Sequence, residues 1–355
     1  MRLAVENLEA SKIREVANAG MGRADVLAFW FGESDEVTPE PIRQAAIESL
    51  QRGETFYSHN LGLPDLRQAV ASYASTLHRP IAADRIAVTS GGVSALMIAM
   101  QALLDAGDEV VAVTPVWPNL TAQPAVLGTR VHCVPLRAEG GAWTLDLQAL
   151  LDAITPATRL LIVNAPNNPT GWTLTRAEQQ AILEHCRRTG TWILADEVYE
   201  RLYYGDATPN GCAPSFLDIS DAEDRLIVVQ SFSKSFLMTG WRLGWLVLPP
   251  TLVDAVGKLI EFNTSCSSVF TQRAGLAALE HAGEIDDSLA VAQRLVSEAG
   301  LGLAPGNAFA PEAQGWLRWC FASKEPARLE AGVQRLQGWL ETAARSCAKE
   351  RSGGG

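Results

Sequence analysis

The chain has 355 residues, of which 47% are apolar, and a formal net charge of −11; this is a globular composition, with core enough for one large or two modest domains, and excludes a disordered chain. The negative charge argues against a nucleic-acid or anionic-membrane surface, since both need a basic field. The N-terminal stretch "MRLAVENLEASKIREVANAG" lacks the apolar core of a signal peptide and no apolar run of about 18 residues follows, so a cytoplasmic location is expected.

Short apolar runs alternate with longer helical patterns. "RIAVTS" (85–90) reads as a strand, and "VSALMIAMQALLDAG" (93–107) as a helix closed by glycine. "EVVAVT" (109–114) reads as a strand, "PNLTAQPAVLG" as a helix and "RVHCVPL" as a strand. "RLLIVNA" (159–165) is a strand, "TRAEQQAILEHCRRTG" (175–190) a helix and "TWILAD" (191–196) a strand. "RLIVVQ" (225–230) and "LGWLVL" (243–248) add two more. This order predicts an α/β protein with a mostly parallel sheet covered by helices on both faces. The N-terminal 45 residues and the segment after Glu280 lie outside this block, and their helical patterns could join as a smaller domain. The six cysteines show no CxxC spacing and the five histidines no HExxH, so free thiols and no metal site are expected.

In an open sheet of this kind the ligand sits at the carboxyl ends of the strands, so the polar residues just after each strand matter most. "TSGGVSAL" puts Gly91 and Gly92 between a strand and a helix, either as a tight turn or as an anion cradle at a helix start. Trp117 in "TPVWPNL" is either a core tryptophan or a flat wall for a planar ring. "NAPNNPTG" is turn chemistry, but it leaves the amide of Asn168 at a strand end, able to donate to a phenolate oxygen. "WILADEVY" ends a buried run on Asp196, either a helix cap or an acid holding a proton on a ring nitrogen, with Tyr199 near the same face. "QSFSKSFLMTGWRLGW" supplies Ser231, Ser233, Lys234 and Arg242. No acid lies within this stretch, and a desolvated lysine loses its proton more readily and becomes a nucleophile toward carbonyls. Together these groups suit pyridoxal phosphate, with its aldehyde, ring nitrogen, phenolate, phosphate and flat ring.

The motifs "YSHNLGLPDLRQAV", "TSGGVSAL", "NNPTG", "ADEVY", "SFSKSFLMTGWRLGW" and "GWLRWCFA", in this order, resemble the class I/II aminotransferases of fold type I. The resemblance implies a pyridoxal-phosphate enzyme with a large domain (46–279), a small α+β domain built from 1–45 and 280–350, and a flexible tail at 351–355. It implies that Lys234 forms the internal aldimine and shuttles the proton, that Asp196 pairs with the pyridinium nitrogen, and that Asn168 and Tyr199 bond the ring oxygen while Trp117 stacks on the ring. Gly91, Gly92, Val93, Ser231, Ser233 and Arg242 would hold the phosphate, Val93 through its backbone alone. Tyr57 would reach the phosphate of a neighbouring subunit in a homodimer. Arg318 would bind the substrate carboxylate, with the backbone at Gly32 closing over it and with Asn168 and Trp117 beside it.

The stretch between Lys234 and Arg318 is several tens of residues shorter than in relatives. The helix and strands expected there are missing, and the break is expected near Ala282 to Asp286, within the small domain. Amino-group transfer between an L-amino acid and a 2-oxo acid is the leading reading. A β-lyase on the same scaffold and a non-catalytic cofactor-binding protein are the alternatives. With no second arginine evident near 262–270, the side-chain preference leans towards apolar, aromatic or small amino acids.

Overall fold

A computed structural model of the chain describes residues 1–23, 25–34, 36–203, 210–282 and 325–335, together with the backbone of 303–305 and 317–319. Nine strands fall in the first 250 residues: β1 Ile86–Thr89, β2 Glu109–Thr114, β3 Arg130–Pro135, β4 Arg137–Glu139, β5 Ala142–Thr144, β6 Thr158–Asn164, β7 Trp192–Asp196, β8 Leu226–Ser231 and β9 Gly244–Val247. Seven of them form one sheet in the order β1-β9-β8-β7-β6-β2-β3, and β4 and β5 pair as a separate hairpin. Every pairing in the large sheet is parallel except those of β9, which runs antiparallel to both β1 and β8. Six strand ends therefore point the same way, and their carboxyl ends define one rim.

The helices that cover the sheet follow the strand pattern. Along each strand the side chains alternate between two faces. Val111, Val113, Leu161, Val163, Ile193 and Val228 enter one core; Val110, Ala112, Leu160, Ile162, Leu194 and Ile227 enter the other. The first core is covered by α4 (Pro64–Leu77), α8 (Arg176–Thr189) and α11 (Val269–Glu280), and the second by α5 (Gly92–Leu103), α6 (Asn119–Val126) and α10 (Val253–Thr264). Burial on both faces is why these strands read as continuous apolar runs, each fully buried Leu, Ile or Val contributing about 1.5–3 kcal/mol. The α8 boundaries are local chemistry: a capping box between Thr175 and Glu178 starts it, and Gly190 at φ 77° ends it.

Two details differ from the sequence reading. The helix expected to run to Gly107 stops at Leu103, and an Asp105–Asp108 turn follows in which Asp108 Oδ2 accepts from Asp105 N at 2.9 Å. The β4–β5 hairpin was not foreseen, because its three-residue strands carry no apolar alternation. Helix α3 (Glu40–Gln51) packs on α11.

At the N-terminus lie α1 (Leu3–Glu6) and α2 (Lys12–Gly20), and Ser11 caps α2 by accepting from Arg14 N. Further on, β10 (Leu303–Pro305) pairs antiparallel with β11 (Leu317–Trp319), and a helix runs over 326–335. The tail at 351–355 and most of the expected break near Ala282–Asp286 lie outside the described residues. Among the described residues, no helix is long and apolar enough to cross a membrane, and no cluster of His, Cys, Asp and Glu could hold a metal ion.

Candidate active site

The rim brings together most of the residues singled out in the sequence. At the end of β7, Asp196 is 2% exposed. Its neighbour across the register is Asn164, whose side-chain amide donates to the Asp196 carbonyl at 3.0 Å. Asn164 Oδ1 in turn accepts from Asn168 N at 2.8 Å, which fixes the loop after β6 against the end of β7. Asn168 Nδ2 then donates to the Tyr199 hydroxyl at 3.2 Å. Amide, phenol and carboxylate thus stand on one small platform.

The carboxylate itself is under-satisfied. Asp196 Oδ1 is buried and has no hydrogen-bond partner. Burial pushes the carboxyl up to about 7, against the pull of the Val198 backbone N–H and of the Lys234 charge. An orphaned buried carboxylate oxygen is costly unless a cation or N–H donor meets it. A protonated ring nitrogen has the chemistry this oxygen lacks.

Lys234 sits in the short helix α9 (Phe232–Ser235) at the end of β8. Its Nζ donates to the carbonyl of Gly32 at 2.5 Å and lies 5.6 Å from the centre of the Tyr199 ring. The sequence around Lys234 is free of acids, but the fold brings Asp196 close enough for the two charges to interact. The N-terminal segment is tied to the lysine loop: Trp241 Nε1 donates to Thr38 Oγ1 at 2.9 Å, and Thr38 Oγ1 donates to the Leu237 carbonyl at 2.6 Å.

A second corner of the rim is built from the residues after β1 and β8 and the loop before β9. Gly91 has φ 92° and ψ 165°, a conformation open essentially only to glycine. A Cβ there would stand 2.5 Å from Arg242 Nη2. The first intrahelical bond of α5 runs from Ala95 N to Gly91 O at 3.0 Å. The N–H groups of Gly92, Val93 and Ser94 therefore open the helix without intrahelical partners. Ser231 Oγ accepts from Ser233 N at 3.1 Å, and Arg242 Nη1 donates to Thr239 O at 2.6 Å and towards Ser233 Oγ at 3.4 Å. Arg242 itself holds φ 54°, and its guanidinium lies over Gly91. A cleft of about 650 Å³ adjoins Ser90 and Arg242, walled by Thr38, Trp241 and Phe270.

Trp117 is half-buried beside the core under α5. The Val93 side chain is exposed. Tyr57 is 87% exposed. Arg318 falls in β11, where only the backbone is described. Sequence reasoning missed Gly244 and His78. A Cβ on Gly244 would meet Gln230 O at 2.7 Å and Gly92 N at 3.0 Å, so this glycine lets β9 close against the cradle. The signal was present, a glycine opening a strand, but its neighbour was invisible without the strand order.

Residues 25–294 match the family described as aminotransferase class I and II. The aspartate aminotransferase of Thermotoga maritima is 35% identical over 257 residues, covering 72% of this chain and 67% of that protein. Aromatic-amino-acid aminotransferase 2 of Thermococcus litoralis is 34% identical over 278 residues, covering 78% of this chain and 70% of that protein. The crystal structure of the Thermotoga maritima aspartate aminotransferase superimposes with a TM-score of 0.83 at 28% identity, covering 96% of this chain and 100% of that one. The chain belongs to the class I and II aminotransferases, and it is a transaminase of fold type I.

Proposed function

We propose that this enzyme moves an amino group between an L-amino acid and a 2-oxo acid on pyridoxal phosphate held at the sheet rim. The observation that carries the reading is the buried Asp196 carboxylate with an unpartnered oxygen, beside a lysine and an amide–phenol pair. Asp196 would meet the ring nitrogen and keep its proton in place. Asn168 and Tyr199 would donate to the ring oxygen, and Trp117 would cover one face of the ring. Gly91, Gly92, Val93, Ser231, Ser233 and Arg242 would receive the phosphate, through open backbone N–H groups, hydroxyls and one guanidinium. When bound, the cofactor supplies an aldehyde that condenses with amines and a ring that withdraws electrons from the substrate's reacting carbon. The amine of Lys234 would accept and return the proton at that carbon, and the Gly32 carbonyl would position the amine while closing the site from above. Arg318 would hold the substrate carboxylate.

The enzyme is further proposed to be a cytoplasmic homodimer. Phe56, Tyr57 and Phe262 are 83%, 87% and 89% exposed. Large rings left in solvent are expected on a surface that another protein covers, and Tyr57 would reach the partner's phosphate corner.

Borohydride reduction of the cofactor-loaded protein followed by peptide mass analysis tests the assignment. The added mass is expected on Lys234 and nowhere else, and Lys234→Ala is expected to lose it. An L-amino acid added alone should bleach the visible band without release of ammonia. Ammonia release, or label on another lysine, would overturn the proposal.

A further inference from the structure

The segment that runs from Asp196 at the end of β7 into the turn with Tyr199 has a second face. Glu197 and Glu200 alternate with them and enter the protein interior, where both are buried. Glu197 is held by the next turn: its Oε2 accepts from Ser215 Oγ at 2.5 Å and its Oε1 from Phe216 N at 3.1 Å. Glu200 N donates to Glu197 O at 2.9 Å, and Glu200 O accepts from Ala213 N at 2.8 Å. The Glu200 carboxylate meets His78, 122 residues earlier in the chain at the C-terminal cap of α4. His78 Nε2 lies 3.0 Å from Glu200 Oε2, and His78 Nδ1 lies 2.7 Å from Asp218 Oδ1. Asp218 is held from outside by Arg176 and accepts from Ser215 N at 3.1 Å.

The His78 side chain is only 1% exposed, and that of Glu200 6%. Each ring nitrogen faces a carboxylate oxygen. Two ionised acceptors need two N–H donors, and only the imidazolium has both. Burial alone would lower the His78 pKa, but the bonds to Asp218 and Glu200 outweigh it and raise the ring to about 10. Burial meanwhile pushes Glu197 up to about 7. Among the described residues, the charged and titratable groups around the ring are thus Glu197, Glu200, Asp218, Arg176, Arg201 and Cys212.

We infer that His78 is a positioning residue for the cofactor site: by clamping Glu200 and Asp218 at once, it locks the turn from which the Tyr199 hydroxyl projects. The inference rests on the reading that Tyr199 donates to the cofactor's ring oxygen. That donation would stabilise negative charge on the oxygen, and more so once the Lys234 nitrogen, joined to the cofactor, has lost its proton. Loosening the turn therefore raises the pH at which the visible band of the bound cofactor titrates.

The test is that midpoint, read by absorbance against pH in the loaded protein, for wild type, Tyr199→Phe, Glu200→Asp, His78→Gln and the His78→Gln/Tyr199→Phe pair. Glu200→Asp keeps the charge and retracts the carboxylate by one methylene, so it serves even where His78→Gln does not fold. Tyr199→Phe, His78→Gln and Glu200→Asp are each expected to raise the midpoint, the first two by about one pH unit or more. In the pair, His78→Gln is expected to add almost nothing, because both act through one hydroxyl. A Glu200→Asp or His78→Gln midpoint within about 0.2 units of wild type, beside a shifted Tyr199→Phe, would overturn the inference alone. So would full additivity in the pair. A wild type with no titrating band, or an unmoved Tyr199→Phe, would overturn the cofactor reading and this inference with it.

Discussion

Gly91→Ala tests the phosphate corner directly. The new methyl would stand 2.5 Å from Arg242 Nη2 and 3.0 Å from its Cζ. Both atoms lie at the end of a flexible side chain, so the guanidinium swings away and the clash is relieved at its expense. The backbone strain remains, since φ 92° with ψ 165° costs an L side chain about 1–3 kcal/mol. That strain lowers the stability of free and loaded protein alike. The displaced guanidinium acts on binding only: one lost hydrogen bond to a doubly charged phosphate is worth about 1.5–3 kcal/mol. The dissociation constant for pyridoxal phosphate is therefore expected to rise about 10- to 100-fold, measured by quenching of tryptophan fluorescence in the cofactor-free protein. Gly244→Ala should behave differently, because its methyl meets the backbone at Gln230 O and Gly92 N, which cannot swing aside, and its thermal midpoint should fall further. A folded Gly91→Ala variant that binds the cofactor as tightly as wild type would refute the placement of the phosphate beside Arg242.

Asp196→Asn is expected to stabilise the cofactor-free protein while weakening cofactor binding. Burial raises this carboxyl from its ordinary 3.8 to about 7, so the free protein loses stability as pH rises from 3.8 through 7, by up to about 4 kcal/mol; calorimetry should find the variant more stable than wild type at pH 8 and equal to it near pH 4, and equality at both would refute the burial argument. Sedimentation equilibrium should find a dimer, and Phe262→Asp, at a ring 89% exposed, should shift it towards monomer; an unchanged mass would remove that helix from the interface.

The sheet and the site were legible to different depths. Strands β2, β6, β7 and β8 could be read because burial on both faces leaves unbroken runs of Val, Ile and Leu. The residues at their ends could be read for a related reason: a polar group is costly there unless it works, so Asp196 stands out after "WILA". What escaped notice depends on pairings between distant parts of the chain. Neither the place of β9 between β1 and β8 nor the contact of Gly244 with Gly92 has a local signature. The His78 clamp was equally hidden, since a histidine near the end of a helix is ordinary until Glu200 and Asp218 are brought to its two nitrogens. Lys234 shows the converse. Its window lacks acids, yet folding supplies one from β7.

The insertion of β9 also sets a timetable for biosynthesis. Strand β1 lies at the edge of the large sheet, where its one neighbour among the described residues is β9, with Ile86 opposite Val247. On the ribosome, β1 is the first of these strands to emerge and must wait longest for its companion. Until residue 247 has left the exit tunnel, "IAVT" has no native strand to lie against and the Gly91–Gly92 corner has no far wall. A nascent chain of this enzyme thus carries an unsatisfied apolar ribbon through most of the large domain's synthesis, a long invitation to chaperones and to misassembly.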